Sequence, residues 1–215
     1  PSGEKINSAA SGSNAWWTGG NSGRYYSNEQ TYVVGPCLNL TQIKRPMISM
    51  KYASDVQKGF DGVVVQYSVD GGVNWATVGD AEGAGINWYN SRNLPGAPGG
   101  QTNFAWSDTI PDNPDPDFVL WKDGRHNLDQ IPKAQRDTVI FRIAFGSNND
   151  DDFENTYSGF AFDDIYIGEK RRNVLVEHFA NNNSGPSNAA ATYLNTTLYN
   201  AQFPAQDSSD FISIE

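Results

Sequence analysis

The densest oxygen chemistry in the sequence lies in Asn148-Asn149-Asp150-Asp151-Asp152-Phe153-Glu154. Asp150, Asp152 and Glu154 alternate with other residues, so a locally extended loop can converge their carboxylates. Calcium takes roughly six to eight oxygens from such loops and from backbone carbonyls. Asp163 and Asp164 interrupt an otherwise apolar strand, where an unpaired charge is costly to bury. A cation or a set of backbone amides must compensate at least one of them. The residues therefore admit a structural Ca2+ held by Asp163 with Asp150, Asp152 and Glu154. They equally admit a solvated acidic loop beside an internally hydrogen-bonded Asp163.

A second group is aromatic. Trp16, Trp17, Trp88, Tyr89, Trp106 and Trp121 fall in loops or at loop edges. Exposed rings stack on sugar faces or anchor a protein, whereas rings folded back under long loops form satellite cores. Trp16, Trp17, Trp88 and Tyr89 are the expected ligand-binding residues, for a sugar or a protein. Acid–base chemistry is poorly provisioned. His126 reads as a turn residue and His178 as a strand residue, and neither has a nucleophile or orienting group at hand. The pattern Glu-x-Asp-x-x-Glu, which would line up carboxylates for glycoside hydrolysis, does not occur. No catalytic residue is expected. The single cysteine, Cys37, excludes an intrachain disulfide and a multi-cysteine zinc site. Thr109 and Thr138 follow aspartates in triplets that resemble bacterial O-glycosylation sites and merit mass spectrometry.

The elements that would position these groups read as β. Only 19% of the 215 residues are charged and 13% are aromatic, which suits pleated surfaces. Ile48, Met50 and Tyr52 alternate with Ser49 and Lys51, and Val139, Phe141, Ile143 and Phe145 with Ile140, Arg142 and Ala144. Such alternation puts one face on a core and the other toward water. Val63 to Val69 predicts another strand, and Asp70-Gly71-Gly72 supplies the positive-φ residues of a tight hairpin returning through Val73 to Val78. Residues 79–137 hold no long periodic segment and read as a long loop. Gly159 to Ile167 is apolar on both faces and predicts a central strand. No apolar run is long enough to span a bilayer, and the polar stretch after Pro1 reads as the start of a mature or clipped chain. A net charge of −10 argues against nucleic acid, whose phosphates need clustered Lys and Arg. Proteins, sugars and divalent cations remain as partners.

Four segments carry a resemblance: Gly12-Ser13-Asn14-Ala15-Trp16, Gly59-Phe60-Asp61-Gly62, Gly85-Ile86-Asn87-Trp88-Tyr89-Asn90 and Phe160-Ala161-Phe162-Asp163-Asp164-Ile165. In this order they resemble extracellular jelly-roll modules of the meprin-type MAM and concanavalin-like group. The versions in surface and secreted proteins of gliding, type IX-secreting bacteria are the most similar. The resemblance implies an antiparallel jelly-roll β-sandwich, an extracellular or outer-surface location and a role in adhesion or protein docking. It also implies a structural calcium site to which Asp163 contributes. Carbohydrate binding in a polysaccharide-degrading system is the alternative. Ser68-Val69-Asp70-Gly71-Gly72-Val73-Asn74-Trp75 is similar to the Asp-box hairpin of sialidases, a structural device in which the carboxylate accepts turn amides over a packed Trp.

After the charged break Glu169-Lys170-Arg171-Arg172 the pattern changes. Val174 to Phe179 reads as a buried strand, Asn188 to Tyr199 as a helix and Phe211 to Ile214 as another strand. With Ser184-Gly185-Pro186-Ser187 between the first two, the tail resembles the opening of a thioredoxin fold. There a helix start activates the first cysteine of Cys-Gly-Pro-Cys. Ser184 and Ser187 occupy both cysteine positions, and hydroxyls take no part in thiol–disulfide exchange. The expected organisation is a jelly-roll sandwich over residues 1–169 and an incomplete, redox-inert thioredoxin-like α/β domain over 170–215. The tail is expected to pack on further domains of the same polypeptide or on a neighbouring chain, or else to be poorly ordered.

Overall fold

The computed structural model describes residues 1–170, apart from 22, 81–82, 84, 113, 115–117 and 150–156, together with Ala189. Residues 1–170 form one unit. Of the expected strands and helix of the 170–215 tail only Ala189, which is helical, is described; the rest, with Ser184 and Ser187, lie outside the described residues, as do Asp150, Asp152 and Glu154.

The unit is mainly β. One antiparallel sheet runs in the order β1 (Trp16–Trp17), β10 (Gly159–Glu169), β3 (Pro46–Asp55) and β8 (Lys122–Asn127). A second runs β2 (Gln30–Leu38), β9 (Val139–Gly146), β4 (Gly62–Ser68) and β5 (Ala76–Thr77). A short ribbon, β6 (Ser91–Arg92) and β7 (Phe104–Ala105), and two 3-10 turns, Pro98–Gly100 and Lys133–Gln135, complete the described elements. The sheets adopt a sandwich-like arrangement because their alternating faces share one core. Ile48, Met50 and Tyr52 from β3 and Phe160 and Phe162 from β10 meet Val63 and Val65 from β4 and Phe141, Ile143 and Phe145 from β9. The outer face of the first sheet is covered as well: Ala53 and Ala161 pack with Ile6 and Ile110, flanked by Trp17, Phe118, Leu120 and Trp121.

Buried aspartates hold the loops to this frame. Asp55 accepts the Ile110 N–H at 3.0 Å and the Ser158 N–H at 2.7 Å, with Lys5 Nζ 3.9 Å away. Desolvation pushes its carboxyl above the ordinary value, against the opposing pull of the amides and Lys5. Asp61 accepts the Tyr25 hydroxyl at 2.7 Å and the Asn148 N–H at 2.7 Å. At Gly62 a Cβ would stand 2.5 Å from both Leu94 Cδ1 and the Trp106 carbonyl oxygen. Gly59-Phe60-Asp61-Gly62 thus marks a place where loop and strand backbones approach closely.

Three expectations are corrected. The 79–137 segment is not loop throughout, since it supplies β6, β7 and the edge strand β8, and His126 is a strand residue paired with Ile48 rather than a turn residue. β8 is hard to read because Lys122-Asp123-Gly124-Arg125-His126-Asn127 lacks an apolar face; charged residues are common on edges, where they discourage further pairing. β10 is apolar and buried on both faces only in its first half. After Phe162 the register to β3 shifts between Asp163 and Tyr166, Asp164 takes φ +49°, and Ile165 and Tyr166 are exposed.

Candidate binding cleft at the open edge of the sandwich

Trp16 and Trp17 form β1, which pairs with Phe162 and Ala161 at the edge of the first sheet. Their side chains alternate. Trp17 turns onto the outer cluster and donates its indole N–H to the Ser158 carbonyl at 2.6 Å. Trp16 is 60% exposed and lies stacked against Phe162, ring centroids 6.2 Å apart and planes within 10°. Across from it stands β2, the edge strand of the second sheet. Between the two edges opens a cavity of ≈ 270 Å³ that reaches Val33, Val63, Ile143 and Phe145 on one side and Phe160 and Phe162 on the other. A dry cavity of roughly 150 Å³ already admits benzene, so this one has room for a large apolar side chain.

The polar groups of the cleft are already engaged. Thr18 Oγ1 accepts the Phe160 N–H at 2.9 Å, and Glu29 accepts the Tyr26 N–H at 3.1 Å and the Thr31 hydroxyl at 2.9 Å. Apart from the Glu29 carboxylate, which has no Lys or Arg partner among the described residues, the surface left to a visitor is hydrocarbon and aromatic ring.

Trp88 and Tyr89, expected at a ligand surface, are core residues, each 5% exposed. Positive φ at Asn87 and Tyr89, 47° and 30°, turns the chain so that both rings pack on Trp106, at 4.7 and 4.8 Å between centroids. Their polar tips are satisfied inside: Trp88 donates to the Val78 carbonyl at 2.9 Å and Tyr89 to the Val65 carbonyl at 3.1 Å. Burial pushes the Tyr25, Tyr52 and Tyr89 phenols up, so all three stay neutral. Trp106 and Trp121 also belong to the inner and outer clusters. Of the expected aromatic site, Trp16 presents its ring to solvent, while Trp17 borders the cleft and packs on the outer cluster.

Asp163 has its charge compensated by backbone. Its Oδ2 accepts the N–H groups of Ala10 at 3.2 Å and Ser11 at 3.1 Å, and its Oδ1 accepts the Asp164 N–H at 2.9 Å. Asp164 in turn accepts the Ser11 hydroxyl at 2.6 Å. Among the described residues no group of three His, Cys, Asp or Glu side chains could hold a metal ion. Both oxygens of Asp163 thus accept backbone N–H groups, and the other expected calcium ligands, Asp150, Asp152 and Glu154, lie outside the described residues.

Two features of the second sheet complete the picture. In the hairpin after β4, Asp70 accepts Asn74 through its backbone N–H at 2.9 Å and its side chain at 2.6 Å, and accepts the Ser68 hydroxyl at 2.7 Å. These bonds lower its carboxyl to about 2. Trp75 donates to the Gly72 carbonyl at 2.9 Å, so the Asp-box residues form a self-bonded turn. On the outer face, the Arg142 guanidinium lies 4.2 Å over Trp75 and 5.1 Å over Tyr32 and donates to Gln66 at 2.7 Å. Desolvation lowers the Arg142 pKa without threatening its charge. Thr109 donates its hydroxyl to the Val56 carbonyl at 2.6 Å, while Thr138 is exposed.

Sequence reasoning reads Thr31 to Val34 as a strand, which β2 bears out, but it missed that this strand and the inner core residues wall the cleft. The available signal was the alternation of Thr31, Val33 and Tyr32, Val34 beside a Gly35-Pro36 break, but alternation does not tell an edge strand from an inner one. No protein-family model matches the chain, and a search of the curated proteins finds no match.

Proposed function

We propose that the chain is a non-catalytic, extracellular docking module of a larger secreted or surface protein, which holds a partner protein by seating an apolar side chain in the cleft beside Trp16. The observation that carries this reading is the ≈ 270 Å³ hydrophobic opening between the two sheet edges with an exposed, stacked indole at its mouth. Aromatic anchors in apolar pockets dominate the energetics of protein interfaces. A sugar, by contrast, asks for hydrogen-bond partners as well as a ring, and the cleft's Thr18, Thr31 and Glu29 are engaged internally. A jelly-roll connectivity and kinship with MAM-like modules of bacterial surface proteins belong to the same proposal. They are supported by the four sequence segments and by the antiparallel two-sheet arrangement, and the surface location rests on that resemblance.

The second reading, a carbohydrate-binding module, draws on one feature, the flat Trp16 ring lying parallel to Phe162 at the surface. A displayed library of linear peptides and a glycan array separate the two. Enrichment of peptides with large apolar residues, lost in Trp16→Ala, is the expected result. Glycan binding lost in the same variant, with no peptide enriched, would replace docking by sugar recognition.

A further inference from the structure

We infer that β2 is an acceptor edge: an extended segment of the partner protein adds to it as a further strand of the second sheet and drops alternate apolar side chains into the cleft. This rests on the docking reading above. The Ser147 N–H donates to the Glu29 carbonyl at 3.0 Å, and the register continues as Gln30↔Gly146, Thr31↔Phe145, Tyr32↔Ala144, Val33↔Ile143 and Val34↔Arg142. Hydrogen-bonded and non-bonded pairs alternate along an antiparallel ladder. Thr31 and Val33 therefore bond to β9, and Gln30, Tyr32 and Val34 turn their N–H and C=O groups to the opposite side. That side is the edge of the sheet, and among the described residues nothing bonds to it.

The side chains point to the same occupant. Tyr32 lies on the outer face under Arg142, whereas Thr31 and Val33 line the cleft. Residues opposite one another on neighbouring strands share a face. Those of an incoming strand that sit opposite Thr31 and Val33, roughly 6.6 Å apart, must point into the cavity against Ile143, Phe145 and Phe162. A helix laid in the cleft would leave the free ladder unpaired; an extended chain satisfies ladder and cavity together. The segment is short, because the ladder shifts register between Val34 and Cys37 and Pro36 offers no N–H. Glu29, which has no Lys or Arg partner among the described residues, marks one end of the cleft in a chain of net charge −10. The matching segment carries two apolar residues at alternate positions with a basic residue beside them.

The test uses the full chain and the peptides enriched from the linear library. Val34→Pro removes an N–H that β9 does not use, so the fold persists while the outward ladder loses a donor. A selected peptide with an N-methyl group on each alternate amide makes the same cut from the ligand's side, leaving the protein unaltered. Strand addition predicts that enriched peptides alternate apolar residues and that either change, like Trp16→Ala, lowers affinity about tenfold or more. Affinity lost in Trp16→Ala but indifferent to Val34→Pro and to N-methylation at every position would overturn strand addition and leave the docking reading standing. Peptides indifferent to Trp16→Ala, or no enrichment, would overturn both.

Discussion

Single carboxylates do different work in this molecule according to what faces them. Asp163 sits among three backbone N–H groups, two of them from the N-terminal segment at Ala10 and Ser11. An asparagine there keeps one acceptor oxygen and turns an amide group toward N–H donors. Asp163→Asn is therefore expected to lower the melting temperature by the same amount in calcium and in chelator, since the lost partners are amides. A loss that appears only with calcium present would instead place an ion at this carboxylate. Asp55 is a harsher case. It is fully buried and accepts two backbone N–H groups from separate loops. Leaving both donors unpaired costs about 2–6 kcal/mol, so Asp55→Ala should shift the urea midpoint strongly to lower denaturant.

At the scale of elements, the strands that alternate cleanly, β3 and β9, were legible because burial on one face imposes period 2 on the sequence. β8 was not, since a polar edge strand is specified by its register to β3, including the 2.9 Å Lys51–Asp123 pair, and not by its own pattern. The cleft was legible only at Trp16 and Trp17. Its other wall depends on β2 arriving opposite β1, a relation between edges about which local sequence is silent. Trp88 and Tyr89 misled because a Gly- and Asn-rich stretch suggests solvent, while two left-handed residues send both rings inward. Gly62 offers a test of how tightly the elements are joined. It opens β4 where Val63 exchanges both hydrogen bonds with Trp106, at 2.9 and 3.0 Å, and a methyl group has no room beside the Trp106 carbonyl. Gly62→Ala should destabilise by about 1–3 kcal/mol, read as a lower melting temperature. An unchanged transition would mean that the Trp106 loop moves freely on β4.

For residues 1–170 as a whole, acid stability follows from which carboxyls the fold moves and in which direction. Asp70 is lowered from 3.8 to about 2 by Asn74 and Ser68, and Glu169 is lowered by the N–H groups and guanidinium of Arg45 and the N–H of Lys44. In both cases the unfolded chain binds the proton first as pH falls. Their stabilisation is complete above the unfolded values and disappears as pH drops through the folded ones. Asp55 runs the other way: its raised carboxyl takes up a proton in the folded state before the unfolded one does. Over the window above 3.8 it therefore favours the fold more as pH falls. The two signs overlap between 3.8 and 4.5, where Glu169 begins to lose its contribution while Asp55 still gains, and below 3.8 the losses act alone. The melting temperature should hold or rise slightly as neutral solution is acidified toward about 4, then fall between about 4 and 2. Asp70→Asn should flatten the lower limb, because it removes the charge whose bonds the acid would break, and should leave the upper limb in place. Asp55→Asn should do the reverse. A lower limb equally steep in Asp70→Asn and in Glu169→Gln would assign acid unfolding to general charge repulsion, and the self-bonded hairpin at Asp70 would have no share in it.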